Sequence, residues 1–490
     1  MGIPVYFKTL IDDDKNICLP STIDLKVSYL LFDLNCLIHP CCVGLTNEIE
    51  MFHSIFQSII TIIDIVKPLQ MIYLAIDGPC PRQKMHQQRL RRFKSSKQNK
   101  VWDTNAITPG TQFMHNLESY LFNQLNKLDV KFVLDTSNME GEGEHKLYNY
   151  IKKHKLTNVV IYGLDADLIM LGLLSSSNRT YLFRERTQYN IECIDSEYIY
   201  FDINKLKELI ISRNRPVNYI YNDMNIIYDY VFICLLLGND FVQHTPSINL
   251  RYDGLDILLL SYDQLQRKYN GKFQLININS NDLIHLESFI EYIELLSMNE
   301  DKRIKNIMNI RFKQEKKMTH ILRKSNDSEK ISNHKPILNR DNEKIIFNNS
   351  KYWNTNYYMY CLFHTEYNPA YESILISKKK ELCRLYIESL YWTINYYING
   401  CIAWRWYNPY NIAPFLSDIY KYLLTINTIS INKDNIPYKP DEQLKIVLPP
   451  SSFSLIKDKP KLPHYYYPID FKEEYILKRY EWESYPLIPN

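Results

Sequence analysis

Seven acidic residues follow strand-like or helical runs, and their types favour binding of divalent metal ions. They are Asp33, Asp77, Glu142, Glu144, Asp165, Asp167 and Asp240. Carboxylates within about 4–6 Å of one another raise each other's pKa unless a cation neutralises them. Two Mg²⁺ or Mn²⁺ ions ~3.5–4 Å apart can activate a water and stabilise the leaving oxygen of a phosphodiester. A single Asp after a strand is more often a turn residue, so it is the repetition that predicts a two-metal site.

The spacing within two of the acidic pairs supports the same interpretation. Glu142 and Glu144 are separated by one residue, as are Asp165 and Asp167. In extended backbone, residues two apart point to one face. We therefore expect each pair to present both carboxylates to the same site.

A basic segment follows the second acidic position. Between positions 82 and 100 there are eight Lys or Arg residues and no Asp or Glu. Its first part lacks Gly, Pro and β-branched residues, which favours a helix. One face of that helix carries Lys84, Gln88, Arg91 and Arg92. Arginine can grip a phosphate through two parallel hydrogen bonds, and lysine adds a compact charge. The face predicts a pocket for a terminal phosphate; the competing interpretation is a solvated basic surface.

The elements that would position these residues form an alternating pattern. Strand-like runs cover Tyr29–Phe32, Gln70–Ile76, Lys131–Leu134 and Asn158–Tyr162, with helical stretches such as Phe52–Val66 and Glu144–His154 among them. This order predicts an α/β fold, with a mostly parallel central sheet flanked by helices. Ligands of such sheets bind outside the carboxyl ends of the strands. An apolar helix over Tyr228–Leu237 would deliver Asp240 to the same place.

We expect three parts along the chain. Residues 1–265 would be the α/β domain with the acidic site and the basic phosphate-binding helix, and residues 266–350 a helical, basic connector that includes a flexible linker. Between positions 302 and 324 the connector holds nine cations against one Glu. Those cations are either a solvated tether or an auxiliary contact to nucleic acid. Residues 351–490 would form a mainly helical, aromatic-rich second region that packs on the first and ends in an extended, proline-rich tail.

Composition narrows the class of protein. With 490 residues, 46% hydrophobic and 23% charged, the chain is not wholly disordered, collagen-like or a coiled coil. Its longest unbroken apolar run is shorter than the ~18 residues that cross a bilayer, and no leader segment is evident, so we expect neither membrane insertion nor secretion. Scattered cysteines predict reduced thiols in an intracellular compartment. We expect the cytoplasm, with the nucleus left open.

Blocks of sequence around the acids and the basic segment resemble the Xrn-type 5′-to-3′ exoribonuclease family. The resemblance lies in Asp33-Leu-Asn-Cys-Leu-Ile-His39, Ala75-Ile-Asp-Gly-Pro-Cys-Pro-Arg-Gln-Lys84, Gly141-Glu-Gly-Glu-His-Lys146, Tyr162-Gly-Leu-Asp-Ala-Asp-Leu168, Gly238-Asn-Asp-Phe241 and Trp404-Arg-Trp-Tyr-Asn-Pro-Tyr410. The order of these blocks spans nearly the whole chain. It implies a PIN/FEN-like nuclease core of minimal size, and a viral source is one expectation.

The family resemblance assigns roles to these residues. It implies that the seven acids bind two Mg²⁺ or Mn²⁺ ions and that the basic face holds a 5′-monophosphate. His39, with either Trp404 or Trp406, would stack on the first bases. The expected reaction is processive 5′-to-3′ hydrolysis of single-stranded, 5′-monophosphorylated RNA to mononucleotides, in RNA decay after decapping. A decapping or other protein partner is expected, and the sequence makes no prediction of oligomeric state.

Two other functions compete with this one. A flap-endonuclease-like DNA enzyme would share the acids, but it usually carries a Gly-rich helical hairpin soon after the Gly-Asp position. Here Phe241-Val-Gln-His-Thr-Pro-Ser247 follows instead. The second alternative is a non-catalytic RNA-binding scaffold that keeps the pocket.

Overall fold

A seven-stranded sheet organises the first part of the chain. The computed structural model describes residues 3, 5–97, 101–186, 194–280, 282–324, 327–347, 352–458 and 466–489. The strands of the sheet are β1 Cys18–Pro20, β2 Tyr29–Asp33, β3 Met71–Ala75, β4 Phe132–Asp135, β5 Val159–Tyr162, β6 Thr180–Glu185 and β7 Tyr198–Asp202. Their order is β1-β7-β6-β5-β2-β3-β4, in which β6 to β4 run parallel and β7 and β1 form an antiparallel edge. The expected mostly parallel sheet is confirmed.

The central strands are apolar on both faces because helices cover both. Leu30, Leu31 and Phe32 of β2 are all buried, which is typical of parallel sheets. Successive side chains point to opposite faces. Leu31 accordingly belongs to one hydrophobic core, whereas Leu30 and Phe32 belong to the other.

Ten helices precede residue 269 in the part of the chain that the structure describes. They are α1 Tyr6–Asp13, α2 Asn35–Cys41, α3 Glu48–Val66, α4 Arg82–Ser95, α5 Gln112–Leu125, α6 Gly143–His154, α7 Ala166–Leu174, α8 Ile203–Asn214, α9 Asp223–Leu235 and α10 Gly254–Lys268. Helices α3 and α5 cover one face of the sheet, and α6 to α9 cover the other. The expected domain end at residue 265 falls inside α10.

Helix α3 is the one described helix that is long and apolar enough to cross a membrane, with a mean hydropathy of 1.5. Its Met51, Ile55, Ile59 and Ile62 are buried in the core beneath the sheet. Asn47 caps its start by accepting a hydrogen bond from the backbone N–H of Ile49 at 2.9 Å. Packing on the sheet accounts for the apolar composition of this helix.

The rest of the chain is mainly helical, as expected. Its helices are α11 Leu286–Ser297, α12 Glu300–Leu322, α13 Ser328–Asn333, α14 Lys335–Leu338, α15 Asp341–Ile346, α16 Trp353–Phe363, α17 Glu372–Asn399, α18 Leu416–Leu423 and α19 Pro440–Val447, and a short hairpin pairs β8 Glu473–Glu474 with β9 Tyr485–Pro486. Helix α17 packs on α7 and α9, and α19 packs on α4. These contacts join the second region to the sheet domain.

The segment within residues 266–350 that was expected to include a flexible linker contains a long helix in the part that the structure describes. Helix α12 runs for 23 residues there. Its Arg311 is buried and pairs with Glu343 of α15, with 2.9 Å between Nε and Oε2. Buried ions need such partners. Most of the charged residues of α12 are exposed, while Ile304, Ile307 and Met308 are buried on the opposite side of the helix.

The proline-rich tail packs more closely than expected. Tyr467 and Phe471 are buried, and Phe471 lies against Phe93 of α4 with ring centroids 6.5 Å apart. Lys94 donates a hydrogen bond to Oγ of Ser484 at 2.7 Å. The described part of the tail therefore packs against the basic helix α4.

Candidate active site

The carboxyl edge of the central strands carries the predicted acids. Asp33 ends β2, Asp77 follows β3 by two residues, and Asp165 follows β5 by three. Strand β2 lies between β3 and β5, so these three ends are adjacent. One cavity of about 470 Å³ is lined by Asp33, Asp77, Glu142, Glu144, Asp165 and Asp240. The structure brings these six carboxylates together from distant parts of the chain.

The two acidic pairs start helices rather than extending strands. Glu142 precedes α6 as its N-cap and Glu144 lies in the first turn; Asp165 and Asp167 hold the same positions in α7. The expected extended backbone is thus wrong, although each pair does lie at the site. Helix N-termini carry partial positive charge, which stabilises carboxylates in the first turn.

Two tyrosines of the second region contact the acids directly. The hydroxyl of Tyr396 donates to Oε1 of Glu142 at 2.9 Å, and that of Tyr397 donates to Oδ1 of Asp167 at 2.7 Å. Both tyrosines lie in α17. Asp167 is only 1% exposed and lies behind the cavity wall. Sequence reasoning missed these tyrosines because only the adjacent Tyr-Tyr pair marks them, in a chain with forty tyrosines.

Lys84 links the basic helix to the acids. Its Nζ lies 2.5 Å from Oε2 of Glu142 and 3.0 Å from Oδ2 of Asp240. Burial disfavours the charged form of Lys84, but Glu142 and then Asp240 outweigh it, so the pKa of Lys84 lies well above its usual value. Lys84 therefore belongs to the acidic cluster as well as to the predicted phosphate-binding face.

Gly143 lets two acids approach the start of α6. A Cβ at this position would lie 2.6 Å from Oδ1 of Asp33 and 3.3 Å from Oδ1 of Asp77. The backbone N–H of Gly143 donates to Oδ1 of Asp77 at 2.6 Å. A side chain here would push apart the acids that the cavity brings together.

Burial and mutual repulsion raise the pKa of several carboxyl groups in the acidic cluster. Burial, then the Asp77 carboxylate, raises the pKa of Asp33 to about 8. Burial and then Asp240 raise the pKa of Asp167 to about 6. Burial likewise raises the pKa of Glu144, with Asp167 as the next cause. A bound cation would relieve this repulsion.

The donor set fits a divalent cation. Oxygens of Glu142 and Glu144 and a ring nitrogen of His145 lie within 4.8 Å of one another. Oε1 of Glu144, Oδ2 of Asp167 and Nε2 of His145 are buried without a hydrogen-bond partner among the described residues. Burial lowers the pKa of His145 to about 3, so its ring, stacked on Tyr396 at 3.7 Å, is neutral. Hard divalent cations such as Mg²⁺ bind carboxylate oxygens of this kind.

The predicted basic face opens into the same cavity. Lys84, Gln88, Arg91 and Arg92 all line it. Arg92 is buried, and its Nη1 donates to Oδ1 of Asn105 at 2.9 Å. Oε1 of Gln88 and Nε of Arg92 are buried without a partner among the described residues. Burial, then Arg91, lowers the pKa of Arg92 to about 9. An anion would accept a hydrogen bond from Nε of Arg92, whereas Oε1 of Gln88 is an acceptor and needs a donor.

The opposite face of α4 anchors the helix. The guanidinium of Arg89 lies 4.1 Å from the ring centroid of Tyr466, and its Nη1 donates to the carbonyl of Ile446 at 2.9 Å. Arg82 lies over Tyr407 at 4.5 Å. Arg82 and Arg89, two of the eight cations between positions 82 and 100, therefore hold the helix in place, while Lys84, Arg91 and Arg92 line the cavity.

The residues expected to stack on bases are separated. His39 lines the cavity. Trp404 is buried, and its carbonyl accepts a hydrogen bond from the backbone N–H of Arg82 at 2.8 Å. The indole of Trp406 donates to Oε2 of Glu388 at 3.0 Å and lies against Trp392. Neither Trp404 nor Trp406 is among the described residues that line the cavity.

Comparison with known proteins places the chain among nucleases. The model of the XRN 5′-3′ exonuclease N-terminus matches residues 1–186, and that of the Xrn1 helical domain matches residues 220–372 and 349–490. The chain is 27% identical to human 5′-3′ exoribonuclease 1 over 590 residues, covering 100% of this chain and 33% of that protein. It is 26% identical to the 5′-3′ exoribonuclease 2 homolog of Drosophila melanogaster over 640 residues, covering 100% and 69%.

Among solved structures, the chain resembles the catalytic core of Rad2 in complex with a DNA substrate. The TM-score is 0.34 at 12% sequence identity, covering 63% of this chain and 79% of that one. In the sequence comparison, the chain spans about a third of the length of human 5′-3′ exoribonuclease 1.

Proposed function

This chain belongs to the XRN 5′-3′ exonuclease family, and on that premise we propose that it hydrolyses single-stranded, 5′-monophosphorylated RNA from the 5′ end to mononucleotides. The relatives named 5′-3′ exoribonucleases support the direction and the substrate class. The observation that carries the proposal is one cavity that joins six carboxylates to Gln88, Arg91 and Arg92. In this reaction the acids would act at the scissile phosphodiester while the basic residues hold the terminal phosphate. The two sets of residues must therefore lie side by side.

The basic face would bind the 5′-phosphate and set the position of the strand. Arg91 is exposed to the cavity mouth and Arg92 is buried, so together they can grip a phosphate from two sides through charge-assisted hydrogen bonds. The unpartnered Nε–H of Arg92 is a further donor for the phosphate there. With the terminal phosphate fixed, the first phosphodiester would lie next to the acids, and advance of the strand by one residue would repeat the arrangement.

The acids would hold two divalent cations, Mg²⁺ or Mn²⁺. When bound, such ions lower the pKa of water and stabilise a leaving oxygen. Lys84 and the hydroxyls of Tyr396 and Tyr397 hold the carboxylates in place. Because these groups are already held in position, they would not have to rearrange during the reaction.

Further parts of the proposal follow from the cavity and the family. His39 would stack on a base near the 5′ end, a contact that tolerates any sequence. A closed pocket for a monophosphate would reject a cap or triphosphate, so a decapping partner would act first. We place this role in cytoplasmic RNA decay and expect processive degradation.

A time course on RNAs with a 5′-phosphate, a 5′-triphosphate or a 5′-hydroxyl, with and without Mg²⁺, tests the proposal. We expect Mg²⁺-dependent release of mononucleotides that is much faster from the 5′-phosphate RNA than from the other two. The paired substitution Asp165→Asn and Asp167→Asn should abolish the release while RNA binding persists. Unchanged decay in that variant would contradict the proposal, and so would preferential cleavage of a DNA flap.

A further inference from the structure

Helix α12 presents a row of exposed residues, most of them cations, on the side opposite its buried face. Along one side of the helix lie Lys302, Lys305, Asn309, Lys313, Lys316, His320 and Arg323, spaced three or four residues apart. All seven are exposed. The buried Ile304, Ile307 and Arg311 lie on the other side. At 1.5 Å per residue the row is about 31 Å long.

Within the part of the chain that the structure describes, no cation of the row forms an ion pair with a carboxylate. Other exposed cations do: Lys378 pairs with Glu381 and Arg384 with Glu388 on α17. The one acid in the middle of α12, Glu315, pairs with Lys344. The whole chain contains 55 acidic and 58 basic residues, which nearly balance. The row on α12 is therefore a local excess of positive charge in a chain whose net charge is small.

A groove runs beside the second half of the row. It has a volume of about 490 Å³ and is lined by Phe312, Glu315, Lys316, Thr319, His320 and Arg323, with Lys344, the ion-pair partner of Glu315, opposite. Cations along a groove, together with an aromatic ring on which a base can stack, are the features by which proteins hold single-stranded nucleic acid.

The buried face of α12 is tied to the neighbourhood of the proposed active site. Nη2 of Arg311 donates to the carbonyl of Lys478 at 2.9 Å. The side chain of Lys478 lines a second cavity, whose wall also includes Arg91 and Asp240. Ser247, in the loop after Asp240, donates to Oε1 of Glu300 at the start of α12 at 2.9 Å. The row is thus fixed to the same rigid framework as the acids.

We infer that the row of cations on α12 binds the phosphate backbone of RNA outside the catalytic cavity. The inference rests on the proposed exoribonuclease function, since the RNA is the strand that is being degraded. The row is longer than several nucleotides of a stacked strand at about 3.4 Å each. Such a contact would keep a long substrate attached between successive cleavages and would add nothing for a substrate confined to the cavity.

Equilibrium binding in EDTA tests this inference without hydrolysis. The probes are 5′-hydroxyl oligouridines of six and thirty nucleotides, and the variant carries Lys305→Gln, Lys313→Gln and Lys316→Gln. For the long probe we expect affinity to fall about tenfold at low salt. Because each phosphate contact contributes about 0.7 to the slope of log affinity against log salt for single strands, that slope should fall by about 2. Binding of the six-nucleotide probe should stay unchanged.

A charge-matched variant with Lys153→Gln, Lys272→Gln and Lys421→Gln is the control, since these three exposed lysines lie on separate parts of the surface. It should change binding less than twofold. Equal losses for both probes, equal losses in both variants, or unchanged binding of the long probe would overturn the inference; in the last case the row would serve another partner, such as an acidic protein. Matching thermal melting curves confirm that the variants fold.

The outcomes separate this inference from the proposed function. If the chain releases no mononucleotides but the row governs binding of the long probe, only the proposed function fails. If the chain degrades RNA and the row variant binds both probes normally, only the inference about the row fails.

Discussion

The hydroxyl of Tyr396 donates a hydrogen bond to Oε1 of Glu142 across 2.9 Å, although 254 residues separate the two in sequence. Tyr397 makes the equivalent contact to Asp167. Both carboxylates lie at helix starts on the edge of the sheet, and both tyrosines come from α17. The second region of the chain therefore completes the acidic site instead of only packing beside it.

Removing these hydroxyls should weaken the site. In Tyr396→Phe and Tyr397→Phe, a buried carboxylate loses a donor, which costs about 1.5–3 kcal/mol for a hydrogen bond to a charged group. We expect a lower rate at neutral pH and a shift of the acid limb of the pH–rate profile to higher pH, because the carboxylate pKa rises. The control is Tyr386→Phe on the same helix, whose buried hydroxyl has no partner among the described residues. Equal effects in all three variants would contradict the assigned role.

Lys84 and Arg91 should differ in how much they contribute to the free energy of unfolding. Lys84→Met leaves Glu142 and Asp240 buried without their cation, so metal-free protein should lose about 3–5 kcal/mol of unfolding free energy. Arg91 is exposed, so Arg91→Met should stay within about 0.5 kcal/mol. Denaturant unfolding in a chelator measures both changes.

The same Arg91→Met variant should lose selectivity for the 5′ end. We expect the ratio of kcat/KM for 5′-phosphate over 5′-hydroxyl RNA to fall about 10- to 100-fold, the effect of losing charge-assisted hydrogen bonds. Rates on 5′-hydroxyl RNA should barely change. An unchanged ratio would place the phosphate elsewhere.

Metal-free protein should become less stable as the pH rises. The pKa of Asp33 is about 8 in the folded protein and near 3.9 when unfolded. Between these values the folded state binds more protons than the unfolded state, so stability falls with pH. Unfolding free energies measured in EDTA should decline by up to about 1.4 kcal/mol per pH unit relative to Asp33→Asn. Mg²⁺ should raise the melting temperature more at pH 8 than at pH 5.5. A parallel pH dependence in wild type and Asp33→Asn would refute this explanation.

Gly143 should tolerate no side chain. Gly143→Ala places a methyl group 2.6 Å from Oδ1 of Asp33, and overpacking of this kind costs about 1–3 kcal/mol. Because displacement of catalytic groups by about 1 Å can cost 10²-fold in rate, we expect activity to fall by that order in protein that remains folded. Circular dichroism and single-turnover rates check the two parts. Full activity in Gly143→Ala would show that Asp33 and Asp77 need not approach this closely.

The ion pair between Arg311 and Glu343 distinguishes a folded connector from a flexible one. Arg311→Met should destabilise the protein by about 3–5 kcal/mol, because the buried Glu343 loses its closest cation and keeps only Nε of Arg340 at 3.9 Å and the backbone N–H of Leu477. Adding Glu343→Met should recover part of that loss. Unchanged unfolding midpoints in both variants would mean that this segment contributes nothing to the fold.

Local patterns predicted the sheet and the acids well. The expected runs at Tyr29–Phe32 and Asn158–Tyr162 match β2 and β5 to within one residue, because strands buried on both faces read as unbroken apolar runs. Asp33, Asp77 and Asp165 were found because parallel strands end at one edge. The α4 face was found because helical spacing is regular.

The remaining features depend on contacts between distant residues. Nothing near Tyr396 in the sequence indicates Glu142, and nothing near Arg311 indicates Glu343. The composition of residues 300–350 suggested a solvated tether because its buried residues are few and charged residues dominate. The assignment of Trp404 or Trp406 to base stacking rests on resemblance alone and stays a prediction; neither residue is among the described residues that line the cavity.

The most direct measurement is diffraction from crystals grown with Mn²⁺ and a short 5′-phosphorylated RNA whose first linkage resists hydrolysis. Anomalous scattering locates Mn²⁺ independently of the RNA. The proposed mechanism predicts Mn²⁺ among Asp33, Asp77, Glu144 and Asp165, with the terminal phosphate bound by Gln88, Arg91 and Arg92. Mn²⁺ bound away from these carboxylates, or a 5′-phosphate bound away from α4, would contradict it.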